Sequence, residues 1–168
     1  MNTLEKLTQI AADENIIIDY TDCLPNNLQG LYMNLDVTGP IISMLHSVKE
    51  NKDKHIEVLG EELGHYFTSV GDNLINAKNY TDYLKICKCE KQALNWSVNH
   101  VVTNYDLERA FKNNCVSYFD VAEFLNVPEK LVIEKFKYLA SKCNGFITLG
   151  DYTVILSNLP NVLIYRDI

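Results

Sequence analysis

The chain has 168 residues, of which 47% are hydrophobic, and it carries a formal net charge of −7. This length and composition suffice for one domain with a real core, or for a small domain with an appendage. The acidic balance argues against a dominant contact surface for nucleic-acid phosphates, which needs an excess of basic residues. No apolar run reaches the roughly 18 residues that a membrane span needs, and residues 1–15 lack the features of a signal peptide.

The cysteines are odd in number and show no spacing typical of a disulfide framework. Reduced thiols are typical of the cytoplasm, so we expect a cytoplasmic protein without a membrane anchor. Cys87 and Cys89 form a Cys-x-Cys pair, which leaves a disulfide or a cysteine-bound metal open. Both residues nevertheless fall within one predicted helix.

The first part of the chain alternates between helical and extended patterns. Turn-forming residues separate the extended segments, and Thr3 is the expected N-cap of the first helix. The predicted helices cover residues 3–14, 50–69 and 80–102, and the predicted strands cover residues 16–18, 30–33 and 40–44.

The pattern changes after Thr103. Three predicted helices cover residues 106–113, 118–125 and 128–143, and strands are predicted at 146–148, 154–156 and 162–165. A turn at Asn158–Asn161 separates the last two strands. The predicted fold class is therefore α+β, with one unit over residues 1–103 and a helix-rich appendage with terminal strands over residues 104–168.

The predicted helix 50–69 carries a candidate metal site. Glu61 and His65 are four residues apart, so they project side by side from the face opposite the apolar one. In the motif H-E-x-x-H, the first and fifth residues bind zinc and the second is the general base. The sequence here is E-E-L-G-H, which makes Glu61 and His65 candidate ligands and Glu62 the candidate base. An ordinary surface Glu–His pair is the alternative. The residues predicted to face the core are Ile56, Leu59, Leu63 and Phe67.

The predicted helix 80–102 supplies a third candidate ligand. Glu90 lies in the apolar arc of this helix, so we expect its side chain to be buried and within reach of His65. A buried carboxylate costs several kcal/mol unless it is paired or bound to a metal. A metal held by Glu61 and His65 would provide that partner. The alternatives are a buried tyrosine, a lysine or a helix terminus.

Three segments together resemble the ImmA/IrrE family of metallopeptidases: Gly30–Tyr32, Glu61–Ser69, and Glu90-x-x-Ala93-x-x-Trp96. The resemblance covers residues 25–105 and extends more loosely into residues 156–162. It implies a zincin-like metallopeptidase unit followed by helix-turn-helix-like helices. It also implies a cytoplasmic endopeptidase that cleaves a helix-turn-helix repressor to relieve repression of a prophage, a mobile element or a stress response.

The resemblance implies a role for each candidate residue. His65 and Glu90 would be metal ligands and Glu62 the general base, while Glu61 stands where the family has its first histidine. Zinc is the expected ion, with Mn²⁺ or another divalent ion as alternatives because oxygen ligands favour harder ions. Asp72 is a candidate to orient His65. A regulator of the same fold that binds a repressor without cutting it is the alternative function.

Residues 121–132 resemble the first helix and turn of a helix-turn-helix, which raises the possibility of DNA binding. Acidic residues offset the lysines of this region, including Lys135, so no basic stripe forms. We therefore expect a protein partner and no direct contact with nucleic acid.

Overall fold

A computed structural model of the chain describes residues 2–69 and 79–166. The chain divides into two compact units, Met1–Ser97 and Val98–Ile168. The predicted α+β class is confirmed, because each unit combines helices with a three-stranded sheet. The boundary between the units falls inside a long helix, Tyr80–Val101, whereas the sequence places it after residue 103.

The first unit begins with a capped helix. The prediction of Thr3 as N-cap is wrong by one residue: the Asn2 side chain accepts a hydrogen bond from the Glu5 N–H at 2.9 Å, and the Glu5 carboxylate accepts from the Asn2 N–H. The elements in order are α1 (Thr3–Asp13), β1 (Ile17–Thr21), a short 3₁₀ turn (Pro25–Asn27), β2 (Gly30–Leu35), β3 (Gly39–Leu45), α2 (His46–Lys49), α3 (Lys52–Thr68) and α4 (Tyr80–Val101).

The sheet of the first unit has the order β1-β3-β2. Strand β3 is central, with β1 parallel to it and β2 antiparallel. Within the described residues β2 therefore lies at an edge of the sheet. Helices α1 and α3 pack together, and α3 also contacts β2 and β3. The core between them is completely closed to solvent and includes Leu7, Ile42, Met44, Ile56 and Leu59.

The second unit packs three helices with an antiparallel sheet of order β4-β5-β6. Asn126 ends the second helix in the left-handed conformation, with φ 54°, which lets the chain turn into the third. The predicted turn after the penultimate strand is present, because the Asn161 N–H donates to the Asn158 carbonyl at 2.9 Å. The elements are α5 (Asn104–Lys112), α6 (Tyr118–Leu125), α7 (Glu129–Ala140), β4 (Phe146–Leu149), β5 (Tyr152–Ile155) and β6 (Leu163–Arg166).

Candidate metal site

Helix α3 turns its apolar side to the core and carries the candidate ligands on its other side. The side chain of Asn51 caps its N-terminus by accepting a hydrogen bond from the Lys54 N–H at 3.0 Å. Burial of the apolar side fixes the rotation of the helix, and with it the direction in which the acidic residues point. Three of the four predicted core-face residues are completely buried, namely Ile56, Leu59 and Leu63.

Helices α3 and α4 pass each other in close contact at Gly64 and Ala93. Both residues are buried, and a Cβ atom at position 64 would overlap the backbone carbonyl of Ala93. Only glycine allows the two backbones to approach to this distance. As a result, His65 on α3 and Glu90, one turn before Ala93 on α4, come into contact.

The three predicted ligands meet at this crossing. Glu61, His65 and Glu90 each offer a ligand atom, and these atoms all lie within 4.8 Å of one another. His65 Nε2 and Glu90 Oε2 lie 3.4 Å apart. Zinc binds such atoms at about 2.0–2.2 Å, so ligands of one ion are at most about 4.4 Å apart. A small side-chain adjustment would bring the set to that spacing, and its nitrogen and oxygen donors suit a divalent ion.

Glu90 is more exposed than its sequence suggests. Its side chain is 52% exposed, so the prediction that it is buried is wrong. No residue of α4 is buried from Tyr80 to Gln92, and full burial begins only at Ala93. The apolar arc runs along the whole helix. Before Ala93, however, none of the described residues packs over it closely enough to bury a residue. The contact with His65, rather than burial, is what places Glu90 in the site.

His65 is held on both sides of its ring. The residue is only 6% exposed, with Nε2 facing Glu90 and Nδ1 lying 3.4 Å from the Ser69 hydroxyl. Ser69 ends α3 one turn after His65. Asp72, predicted to orient His65, lies outside the described residues. A serine four residues after a histidine on a helix is the sequence signal that points to this contact.

Glu62 is directed toward the sheet and is not one of the three clustered ligands. Its Oε2 accepts a hydrogen bond from the backbone N–H of Tyr32 on β2, at 2.8 Å. This contact was not predicted from the sequence. Glu62 therefore stands beside the ligands with its carboxylate attached to a strand of the sheet.

The four ionisable side chains influence one another. Burial raises the pKa of Glu62 to about 7, opposed by the charge of His65 and the Tyr32 N–H, while Glu61 and Glu90 raise it further. Burial lowers the pKa of His65, but the hydrogen bond to Glu90 and the surrounding carboxylates outweigh this and leave the pKa raised. The hydrogen bond from His65 lowers the pKa of Glu90 more than burial raises it. The surrounding carboxylates therefore favour a positive charge at His65.

A row of aromatic rings runs alongside the candidate site. The rings of Tyr32 and Tyr66 meet edge to face, those of Tyr66 and Phe67 do the same, and Phe67 stacks on Trp96 with centroids 4.7 Å apart. Phe67 was predicted to face the core, but it is 40% exposed. It lies in the last turn of α3, where its ring packs against α4 instead of the sheet.

Comparisons with known protein families, with curated proteins and with solved structures found no match to this chain. Within residues 2–69 and 79–166, none of the helices combines the length and the apolar content that crossing a bilayer requires.

Proposed function

We propose that this chain is a metal-dependent endopeptidase of the ImmA/IrrE type, with a zincin-like unit followed by helix-turn-helix-like helices. Its substrate would be a helix-turn-helix repressor in the cytoplasm, and cleavage would relieve repression of a prophage, a mobile element or a stress response. The observation that carries the proposal is the meeting of Glu61, His65 and Glu90 on two helices, with Glu62 next to them.

Glu61, His65 and Glu90 would hold the ion. Zinc is the first candidate, and the two carboxylates make Mn²⁺ or another hard divalent ion a reasonable alternative. Two carboxylates also offset the charge of a divalent ion more fully than two histidines would. The bound form of this site is therefore expected to be less electrophilic than a site with two histidines and one glutamate.

The ion would polarise the scissile carbonyl and make a water molecule more acidic. Glu62 would accept the proton of that water and then pass it to the leaving amine nitrogen. Burial raises the pKa of Glu62 in the metal-free site, and a cation beside it would lower that pKa again, which keeps the carboxylate available as a base. With Nε2 bound to the ion, the Ser69 hydroxyl at Nδ1 would keep the His65 ring oriented during the reaction.

A non-catalytic regulator of the same fold is the second candidate function. One feature favours it: Glu61 occupies the place of the first histidine of the motif. In that case the chain would bind the repressor and displace it from DNA without cutting it. The metal, if bound, would then stabilise the fold.

Substitution of Glu62 by Gln separates the two functions. Gln keeps an oxygen for the Tyr32 N–H but removes the base, so the variant should fold and bind metal normally. If the chain is a peptidase, cleavage of the repressor encoded beside it should fall about 10²–10⁴-fold. The assay is incubation of purified proteins read by gel, with reporter expression measured in parallel. Derepression by the wild type and by Glu62→Gln alike, with no cleavage by either, would replace the peptidase proposal with the regulator.

Metal content is the second test. Protein purified without chelator should carry about one divalent ion per chain by elemental analysis, as expected for one three-ligand site. His65→Ala should lose that ion, because it removes the central ligand. A wild-type protein with no bound ion, and with no affinity for added Zn²⁺ or Mn²⁺, would contradict the proposal.

A further inference from the structure

Strand β2 directs alternate backbone N–H groups away from the sheet. The Leu45 N–H donates to the Gln29 carbonyl at 3.0 Å, so residues 29 and 45 form a hydrogen-bonded pair. Bonded and non-bonded pairs alternate in an antiparallel ladder. Tyr32, three residues after Gln29, is therefore in a non-bonded pair, and its N–H points to the free edge of β2. Glu62 accepts the hydrogen bond of this outward-facing group.

Gly30 provides the space that the Glu62 side chain fills. A Cβ atom at position 30 would lie 2.5 Å from Val58 Cγ1, 2.8 Å from Glu62 Oε1 and 2.9 Å from Glu62 Cγ. Real Cβ atoms do not approach other heavy atoms this closely. Gly30 is buried in extended backbone, a conformation that alanine also adopts. The requirement for glycine here therefore comes from the neighbouring side chains and not from the backbone angles.

We propose that Gly30 and the Tyr32 N–H form a slot that positions the Glu62 carboxylate beside the three ligands. One oxygen is held by the Tyr32 N–H, and the other lies 2.8 Å from the point that a Cβ atom would occupy at Gly30. Gly30 is thus a positioning residue that acts through Glu62. The effect of the slot on catalysis rests on the proposed peptidase function, whereas the slot itself does not.

Substitution of Gly30 by Ala tests the slot directly. The added methyl group should push the Glu62 carboxylate away from β2, so the Tyr32 amide proton should lose its hydrogen bond. In ¹H–¹⁵N spectra, this proton should move upfield to the position that it has in Glu62→Ala, and its exchange with D₂O should become faster. Zn²⁺ affinity should stay unchanged, because Glu61, His65 and Glu90 are untouched. Cleavage should fall roughly 10²-fold, the scale expected for a misplaced catalytic group.

Two further variants keep the test decisive. Glu62→Asp shortens the side chain without adding bulk, so it should cause the same loss at the Tyr32 amide even if Gly30→Ala fails to fold. Val58→Ala removes the second contact of the new methyl group. Adding it to Gly30→Ala should not restore the Tyr32 amide signal if Glu62 is the group displaced. Full restoration in the double variant, or an unchanged Tyr32 amide in Gly30→Ala or Glu62→Asp, would overturn the inference.

The amide and the cleavage readouts separate the two proposals. If the wild type cuts no repressor but the Tyr32 amide responds as described, the peptidase function fails and the slot stands. If the wild type cuts and the amide does not respond, the slot fails and the peptidase function stands.

Discussion

Glu61 is the residue on which the properties of the candidate metal site should depend most directly. It brings a second carboxylate to a set that already contains Glu90, with His65 as the single nitrogen donor. Carboxylate oxygen prefers harder ions than imidazole nitrogen does. The preference among divalent ions should therefore change when this one side chain changes.

Replacement of Glu61 by His should tighten Zn²⁺ binding and increase the preference for Zn²⁺ over Mn²⁺. The reason is that imidazole is the softer donor and that the Glu–His pair on α3 becomes a His–His pair. Competition with a chromophoric chelator measures both affinities. Asp53→His, in the first turn of the same helix, is the control and should leave them unchanged. Equal or weaker Zn²⁺ binding by Glu61→His would show that this side chain does not face the ion.

The side chains of the candidate site could be predicted from the sequence. The backbone N–H group of Tyr32, which binds Glu62, could not. The spacing of Glu61, Glu62 and His65 follows from helix periodicity alone. The contact between Glu90 and His65 was predicted from the rotational position of Glu90 on its helix. The burial of Glu90 was predicted wrongly, because this position does not show where along its length a helix leaves the core. The Tyr32 N–H has no sequence signature. Its direction depends on the register of β2 against β3, which sequence does not reveal.

At the scale of whole elements, the site depends on how closely α3 and α4 approach. Gly64→Ala tests this dependence with two opposite expectations. Helix propensity alone predicts a gain of roughly 0.5–1 kcal/mol in stability, since alanine is the better helix former. The contact with the Ala93 carbonyl predicts instead that α4 must move away, separating Glu90 from His65.

We expect the steric effect to win for Gly64→Ala, because the neighbouring group is backbone and cannot rotate away. The variant should lose both stability and metal affinity, as measured by urea unfolding and by chelator competition. Gly30→Ala serves as a comparison, since it should leave metal affinity unchanged. A stabilised Gly64→Ala protein with normal metal binding would mean that the two helices are not in the contact described.

Helix positions were easier to predict than the pairing of strands. Thr103 and Ser117 cap α5 and α6 with side-chain oxygens that accept from the backbone three residues later, and such caps are readable in sequence. Helix α2, His46–Lys49, was not predicted, because four residues are too few for a periodic pattern. The parallel pairing of β1 with β3 was also not predicted, since it joins segments that are distant in the chain.

At the scale of the whole molecule, the division into two units does not follow the ends of the helices. The sequence suggests a boundary after Thr103, where the pattern changes, whereas the two compact units meet between Ser97 and Val98. Compact units are defined by contacts in space, and Val98, Val101 and Val102 are buried residues of the second unit. When a boundary between units lies inside a continuous helix, the helical periodicity of the sequence does not reveal it.

Among its described residues, the second unit buries one charged side chain in its core. The sequence places Lys135 among lysines whose charge is offset by acidic side chains, but only 2% of this residue is exposed in the structure. Its Nζ donates to Asn99 Oδ1 at 2.7 Å. Burial lowers the pKa of Lys135 to about 8, although the charge of Asp106 opposes this. Folding therefore disfavours the protonated amine.

Replacement of Lys135 by Met should stabilise the protein at neutral pH, and this gain should shrink as the pH rises. The unfolded chain holds the proton up to about pH 10.5, whereas the folded state releases it near pH 8. Below pH 8 the amine is charged in both states, so the wild type carries the full penalty. Between pH 8 and 10 the Lys135 amine is neutral in the folded wild type but still charged in the unfolded chain. The free energy of unfolding of the wild type therefore rises relative to that of the variant.

The difference in free energy of unfolding between Lys135→Met and the wild type should change by on the order of 1–3 kcal/mol over this pH range. Urea unfolding of both proteins at pH 7, 8, 9 and 10, with reductant present, measures it. Lys137→Met is the matched control: that side chain is 58% exposed on the same helix, so its substitution should give a small difference at every pH. A Lys135→Met effect that stays constant from pH 7 to 10 would mean that the amine keeps its proton in the folded core. Its charge would then have to be stabilised by Asn99 and Asp106 far more than burial destabilises it.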